Sequence, residues 1–375
     1  DIMSTINAVR AFGASVQFVS NRLLIDSRYA FRDKSANIDC CECGSTLRFF
    51  IPIAAAFSIN TCFNGRDSLR KRPLKVYLDV LSKFGVYYAS KGGLPLQISG
   101  KLFPGEYKIP GNISSQFISG LLLSLPTLNA DSEIVLTTLL ESSSYIDMTI
   151  NVMKKFGVNV IKTERGYRIP GNQKYKPAIF NVEGDWSQGA FFIAAGLLGS
   201  PMVLRGLDKK SVQGDRAIVS IIERMGGDIE HFGKEIRVYP SKLSGTRIYA
   251  SQIPDLVPIL SILAASANGV TEIFGASRLR FKESNRLNAI YSNLNKLGVK
   301  VTELDDGLLI EGRPSFLKAN LNGYNDHRIV MAMAIAAIRA QGKICIDDAN
   351  SIGKSYPMFF EEYNRLKGIV NVLDL

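Results

Sequence analysis

The chain has 375 residues, 46% of them apolar, which is enough to bury the cores of two or three domains. Its 45 Lys and Arg against 34 Asp and Glu leave a formal charge of +11, favouring anionic partners, while the scattered basic residues and only 9% aromatics argue against a nucleic-acid surface. No apolar run reaches the about 20 residues of a membrane span, and Cys40, Cys41, Cys43, Cys62 and Cys345 with His231 and His327 make neither a zinc pattern nor a disulfide framework, as expected of a cytoplasmic protein.

From the N-terminus onward the predicted elements form a repeat. A phrase that ends an amphipathic helix recurs as Ala11-Phe12-Gly13-Ala14, Lys83-Phe84-Gly85-Val86, Lys155-Phe156-Gly157-Val158, Arg224-Met225-Gly226-Gly227, Lys296-Leu297-Gly298-Val299 and Leu366-Lys367-Gly368-Ile369. The glycines step by 72, 72, 69, 72 and 70 residues. A basic residue often occupies the last turn, and the glycine is free to take φ > 0. Amphipathic runs such as 76–84 and 290–297 precede the glycines, and β-rich segments follow, as in Val158-Asn159-Val160 and Val299-Lys300-Val301. Six such phrases at one period predict a repeat architecture.

Roughly half a repeat ahead of each of the last five glycines, a second helix is expected. These helices begin near Ser45-Thr46, Ser114-Ser115, Ser187-Gln188, Asp255 and Asp326-His327-Arg328. Their bodies, 49–57, 117–125, 190–198, 256–265 and 329–338, are apolar nearly all round and so are expected inside their units. Each repeat then reads strand, apolar helix, strand, amphipathic helix and one or two strands, with turn residues at joins such as Pro110-Gly111-Asn112 and Pro170-Gly171-Asn172. The helix that would partner Gly13 falls before residue 1, and the chain opens on Asp1, so the first repeat is expected to lack its N-terminal part. The whole is expected to be an α/β protein of two similar lobes of three repeats, 1–183 and 184–375, with the ligand site in the cleft between them.

Helix starts with unpaired N–H groups bind anions. Ser45-Thr46, Ser114-Ser115-Gln116 and Ser187-Gln188 offer hydroxyl and amide groups at such starts, and ordinary N-capping explains any one of them alone. Their recurrence at equivalent positions favours converging anion sites. Lys282-Glu283-Ser284-Asn285-Arg286 sets an acid between cations, with Lys282 and Arg286 at i, i+4 expected on one helical face. Tyr324-Asn325-Asp326-His327-Arg328 places an acid and a base at a helix start, and Lys354 lies on a loop before the last helix. Solvated ion pairs would account for each cluster singly. Gly353-Lys354-Ser355 lacks the upstream glycine of a P-loop and is not read as one.

Together, Gly44-Ser45-Thr46-Leu47-Arg48, Leu69-Arg70-Lys71-Arg72-Pro73, Ser114-Ser115-Gln116-Phe117, Glu183-Gly184-Asp185, Ile253-Pro254-Asp255, the Lys282 to Arg286 segment, the Tyr324 to Arg328 segment and Lys354 resemble, in one order over essentially the whole chain, the 5-enolpyruvylshikimate-3-phosphate synthases of the enolpyruvyl transferase family. The resemblance implies two lobes of three βαβαββ units. It implies transfer of the enolpyruvyl group of phosphoenolpyruvate to the 5-hydroxyl of shikimate 3-phosphate, by addition and elimination, with release of phosphate. No metal or organic cofactor is implied, nor any nucleic-acid or membrane partner, and the enzyme is taken to be a cytoplasmic monomer and a glyphosate target.

By the same resemblance Asp255 is the base at the 5-hydroxyl, and Glu283 is the acid that exchanges a proton with the methylene carbon. Arg72, Gln116 and Lys354 correspond to ligands of the phosphoenolpyruvate phosphate, and Arg286 and Arg328 to ligands of its carboxylate. Ser114, Ser115, Gln116, Ser142, Asp255 and Lys282 correspond to the shikimate 3-phosphate site. Gly44 corresponds to a close backbone approach to phosphoenolpyruvate. The family's early Lys-Ser…Arg segment has no counterpart, so the chain as given is expected to be impaired. Asn285 stands where an acid is common and Arg278 where some members carry asparagine. Cys43, beside Gly44, is expected to be open to alkylation. Two rivals stay open: the sister transferase acting on UDP-N-acetylglucosamine, whose reactive cysteine is absent from Gly65-Arg66-Asp67-Ser68-Leu69-Arg70-Lys71, and a non-catalytic anion-binding relative.

Overall fold

The repeat is visible first in the backbone. Gly13, Gly85, Gly157, Gly226 and Gly298 have φ between 78° and 91°, the left-handed conformation that ends a helix at low cost only for glycine. At the sixth position the requirement changes. Lys367 takes the positive φ, 69°, and Gly368 is needed because a Cβ there would lie 2.1 Å from the Tyr363 ring.

The computed structural model describes residues 1–66, 69–70 and 72–373, so Asp67, Ser68 and Lys71 of the loop and segment read above lie outside the described residues. The chain divides into Asp1–Phe180 and Asn181–Leu375. The first unit opens with α1 (Ile2–Ala11) and the hairpin β1 (Ser15–Val19) and β2 (Arg22–Asp26). A full repeat follows: β3 (Ser35–Asp39), α2 (Gly44–Ala56), β4 (Asn60–Asn64), α3 (Lys75–Ser82), β5 (Val86–Ser90) and β6 (Leu96–Gly100). The next has the same order: β7 (Glu106–Ile109), α4 (Ser115–Ser124), β8 (Ser132–Leu136), α5 (Ser143–Lys155), β9 (Ile161–Thr163) and β10 (Gly166–Ile169). The sheets run β3-β4-β6-β5 and β7-β8-β10-β9, with the first pair parallel and the rest antiparallel. A helical crossover is what parallel neighbours need, and a short turn suffices for the antiparallel pair.

The second unit holds α6 (Trp186–Leu198), β11 (Met202–Arg205), α7 (Ile218–Arg224), β12 (Asp228–Phe232) and β13 (Glu235–Tyr239). It continues with β14 (Arg247–Tyr249), α8 (Val257–Ala265), β15 (Val270–Phe274), α9 (Arg286–Lys296), β16 (Lys300–Leu304) and β17 (Gly307–Glu311), whose sheet repeats the order β14-β15-β17-β16. Last come β18 (Phe316–Leu321), α10 (His327–Ala336), β19 (Ala340–Ile346) and α11 (Phe359–Arg365). Among the described residues the fourth repeat lacks a first strand and the sixth lacks a closing hairpin.

Each unit has its own core. Every residue of α8 and α10 is buried, and α2, α4 and α6 are buried over most of their surface. A helix apolar on all sides must be surrounded by protein, at about 1.5–3 kcal/mol per large side chain buried. Among the described residues no helix is long and apolar enough to cross a membrane.

Two expectations are corrected. Lys282 and Arg286 do not share a helical face: Lys282 follows a 3₁₀ turn (Ser277–Phe281), and α9 begins only at Arg286, with Asn285 as its cap accepting from Asn288 N–H at 3.3 Å. An asparagine there closes the helix start, as an aspartate would also do. Val158-Asn159-Val160 also stays outside the strand, which begins at Ile161.

Candidate active site

In the first unit the helix starts do gather polar groups. Cys43, and not Ser45 or Thr46, caps α2: its Sγ accepts from Thr46 N–H at 3.4 Å and from Thr46 Oγ1 at 3.0 Å. Thr46 shares a further hydrogen bond with Thr5 Oγ1 at 2.8 Å. The thiol is 1% exposed, which corrects the expectation that an alkylating reagent reaches it readily. Ser114 caps α4, its Oγ accepting from Gln116 N–H at 3.3 Å. Ser115 and Ser142 are buried, and Ser142 holds a left-handed backbone (φ 55°, ψ 42°) just before α5. Its loop lies against that of Ser114, since Glu141 N–H donates to Gly111 O at 3.1 Å and Thr138 Oγ1 to Asn112 Oδ1 at 3.0 Å.

Gly44 is the focus of this half. A Cβ built on it would lie 2.8 Å from Arg48 Nη1, 2.9 Å from Arg72 Nη1 and 3.4 Å from Gln116 Oε1. Two guanidinium groups and a carboxamide thus converge on a bare stretch of backbone at a helix start. Anions are favoured there by formal charge, by helix dipole and by forked N–H donors.

The second unit gathers a denser network. Asp255 lies in a 3₁₀ turn (Pro254–Leu256) before α8. Its Oδ1 accepts from Arg286 Nη1 at 2.7 Å and Lys282 Nζ at 3.4 Å, and Arg328 Nη2 stands 3.5 Å from its Oδ2. Arg286, with 1% of its side chain exposed, also donates from Nη2 to Glu283 Oε2 at 2.6 Å and from Nε to Asp326 Oδ2 at 2.8 Å. Asp326 is fully buried, accepts from Ser284 Oγ at 3.0 Å and caps α10 through Arg328 N–H at 3.0 Å. Burial is the largest single influence and works against its ionisation, but the charge and hydrogen bond of Arg286, with His327, together hold its carboxyl below the usual range. Lys354 ends a 3₁₀ turn and donates to Asn325 O at 2.6 Å, beside two left-handed residues, Tyr324 and Asn325.

Burial lowers the affinity of Lys282 for its proton, with Asp255 opposing the effect. His327 is pushed down to about 4, first by burial and then by the Arg328 charge, so its ring is neutral at neutral pH. Asp215, which sequence reasoning did not single out, is pushed up to about 6 by burial and by the charge of Asp255. Ser187 Oγ donates to its Oδ2. Arg48 was likewise missed as a site residue, although its place one turn after Gly44 puts it on the same helix face. Arg278 Nη2 donates to Ser251 O at 2.9 Å, a use for the arginine that stands where some members carry asparagine. The structure thus brings Gly44, Arg72, Gln116, Ser114 and Ser115 to the helix starts of one unit. It brings Asp255, Lys282, Glu283, Arg286 and Arg328 into one ion network in the other, with Lys354 next to that network through Asn325.

Both units are built of strand–helix repeats, and each sets cationic groups at its helix starts. The enolpyruvyl transferase NikO from Streptomyces tendae has this fold, with a TM-score of 0.78 at 17% identity over 99% of this chain and 87% of that one. EPSP synthase from Acinetobacter baumannii superposes with a TM-score of 0.80 at 25% identity, covering 97% of this chain and 86% of that one. The family model for EPSP synthase (3-phosphoshikimate 1-carboxyvinyltransferase) matches residues 1–363. A 3-phosphoshikimate 1-carboxyvinyltransferase from Clostridium kluyveri is 44% identical over 373 residues, 99% of this chain and 88% of its own length. One from Clostridium acetobutylicum is 47% identical over 337 residues, 89% of this chain and 78% of its own length. The chain belongs to the EPSP synthase family.

Proposed function

We propose that the chain acts on phosphoenolpyruvate and shikimate 3-phosphate, joining them through an enol ether and releasing phosphate, with the roles that follow. The observation that carries the assignment of roles is the convergence of Arg48, Arg72 and Gln116 on the bare backbone of Gly44. That cradle suits the phosphate of phosphoenolpyruvate, with Lys354 as a further cation. Ser114, Ser115, Gln116 and Ser142 hold shikimate 3-phosphate in this reading, the serines on its phosphate, with Lys282 and Asp255 at its ring hydroxyls.

In the addition step Asp255 takes the proton of the 5-hydroxyl as its oxygen bonds to C2 of phosphoenolpyruvate. Glu283 delivers a proton to the methylene carbon, which becomes a methyl group. In the elimination step Glu283 takes a proton back from that methyl, and the C2–O bond to phosphate breaks onto the cations Arg72 and Lys354. Arg328 and Arg286 hold the carboxylate. The Arg286 contact with Glu283, 2.6 Å here, is the one that a substrate carboxylate would replace, freeing Glu283 for proton exchange as the substrate binds. In this reading the enzyme is a cytoplasmic monomer and a glyphosate target.

The test is phosphate release from phosphoenolpyruvate by the protein carrying the family's Lys-Ser…Arg segment, with shikimate 3-phosphate as acceptor and with UDP-N-acetylglucosamine as control. Release with the shikimate ester alone is expected; release only with the UDP-sugar, or with neither, overturns the reading. In the active protein, Gly44→Ala is expected to raise KM for phosphoenolpyruvate about tenfold or more, because the new methyl displaces two guanidinium groups. KM for shikimate 3-phosphate should stay within about twofold.

A further inference from the structure

Arg48 borders the Gly44 cradle, but no proton transfer or substrate contact is assigned to it, and it is one of the least exposed cations in the chain, at 8%. Its guanidinium lies over the Phe117 ring, 5.2 Å from the centroid, and its own carbonyl accepts from Tyr77 OH at 3.3 Å. Its Nη1 donates to Gln116 Oε1 at 2.5 Å. A carboxamide has an acceptor end and a donor end, whereas arginine has donors only. Arg48 can therefore bind only the oxygen of Gln116, which leaves the NH₂ end directed away from it.

We infer that Arg48 is a positioning residue: it fixes the carboxamide of Gln116 so that Gln116 meets the phosphate of phosphoenolpyruvate as a donor. This rests on the reading of Gln116 as a ligand of that phosphate. Without Arg48 the carboxamide is free to turn over and set its oxygen against the anion. The stacked Phe117 ring and the burial of Arg48 keep the guanidinium in one place, so the orientation is set before substrate arrives.

A double-mutant cycle tests this, with kcat and KM for each substrate measured on Arg48→Met, Gln116→Ala and the double variant. Gln116→Ala is expected to raise KM for phosphoenolpyruvate about tenfold. Arg48→Met should raise it by a similar factor, with kcat less affected, and Arg48→Lys, which keeps a charged donor, should recover part of the loss. In the Gln116→Ala background, removing Arg48 should cost no more than about twofold further. If the two losses multiply instead, Arg48 acts on the substrate or the fold directly and the inference falls, while the site reading stands. If Gln116→Ala leaves both KM values unchanged, the reading of Gln116 as a ligand falls, and the inference with it. Should Arg48→Met fail to fold, the cycle is run with Arg48→Lys, with the same two outcomes.

Discussion

Asp215 and His327 are both buried and titrate in opposite senses across the same pH window. The carboxyl of Asp215, at about 6, holds a proton between pH 4 and 6 that the unfolded chain has lost, so its contribution to stability falls as pH rises. His327, at about 4, lacks between pH 4 and 6.5 a proton that the unfolded chain holds, so its contribution rises with pH. The two nearly cancel in the intact protein. Asp215→Asn should therefore gain stability relative to the parent as pH rises from 4 to 6, by up to about 3 kcal/mol. His327→Gln should show the opposite trend, its advantage shrinking towards pH 6.5. Chemical denaturation of the three proteins at pH 4, 5, 6 and 7 checks both slopes. Parallel curves would mean that neither group is buried as described. Neither shift could be found from sequence by charge counting, because burial is the main cause of both, and the charge of Asp255 that adds to it at Asp215 lies far along the chain.

At the scale of elements, the helix pair α2 and α4 supports the Gly44 cradle, and its closeness depends on Gly120. A Cβ there would sit 2.5 Å from Arg48 O and 2.9 Å from Tyr77 OH. Backbone oxygen inside a packed core cannot give way as a side-chain tip can. Gly120→Ala is expected to cost about 1–3 kcal/mol, read as a lower denaturation midpoint. An unchanged midpoint would show that the helices have room to separate. The apolar helices were legible in the sequence because their composition leaves no polar face. Their caps were less so: a buried cysteine closes α2, Asp185 closes α6 by accepting from Ser187 and Gln188 N–H at 2.8 and 3.3 Å, and Asn285 starts α9 later than periodicity suggested. A cap is chosen by the local backbone, and several candidates within one turn compete for the same N–H groups.

At the scale of the whole chain, the segment joining the two units is exposed and irregular. After Lys176, whose N–H donates to Phe156 O at 2.7 Å, the chain runs without helix or strand to α6, and Ile179 and Val182 are 96% and 86% exposed. Brief chymotrypsin treatment is expected to cut first after Phe180, giving fragments that match Asp1–Phe180 and Asn181–Leu375. First cuts inside α2 to α5 or α6 to α10 would contradict two separately packed units.

The six-glycine period, the apolar helices and the motifs at their starts belong to the sequence itself, because φ preference, amphipathicity and capping chemistry act over one or two turns of chain. Family resemblance could therefore be read there without coordinates. Tertiary structure alone decided that Arg286 is tied to three carboxylates drawn from three segments, and that Arg48 and Arg72 meet at Gly44. It alone showed that Cys43 is sealed under Thr46. Apart from the local Cys43–Thr46, Glu283–Arg286 and Gly44–Arg48 contacts, these join residues tens of positions apart, where a charge is worth what its burial and its neighbours make it.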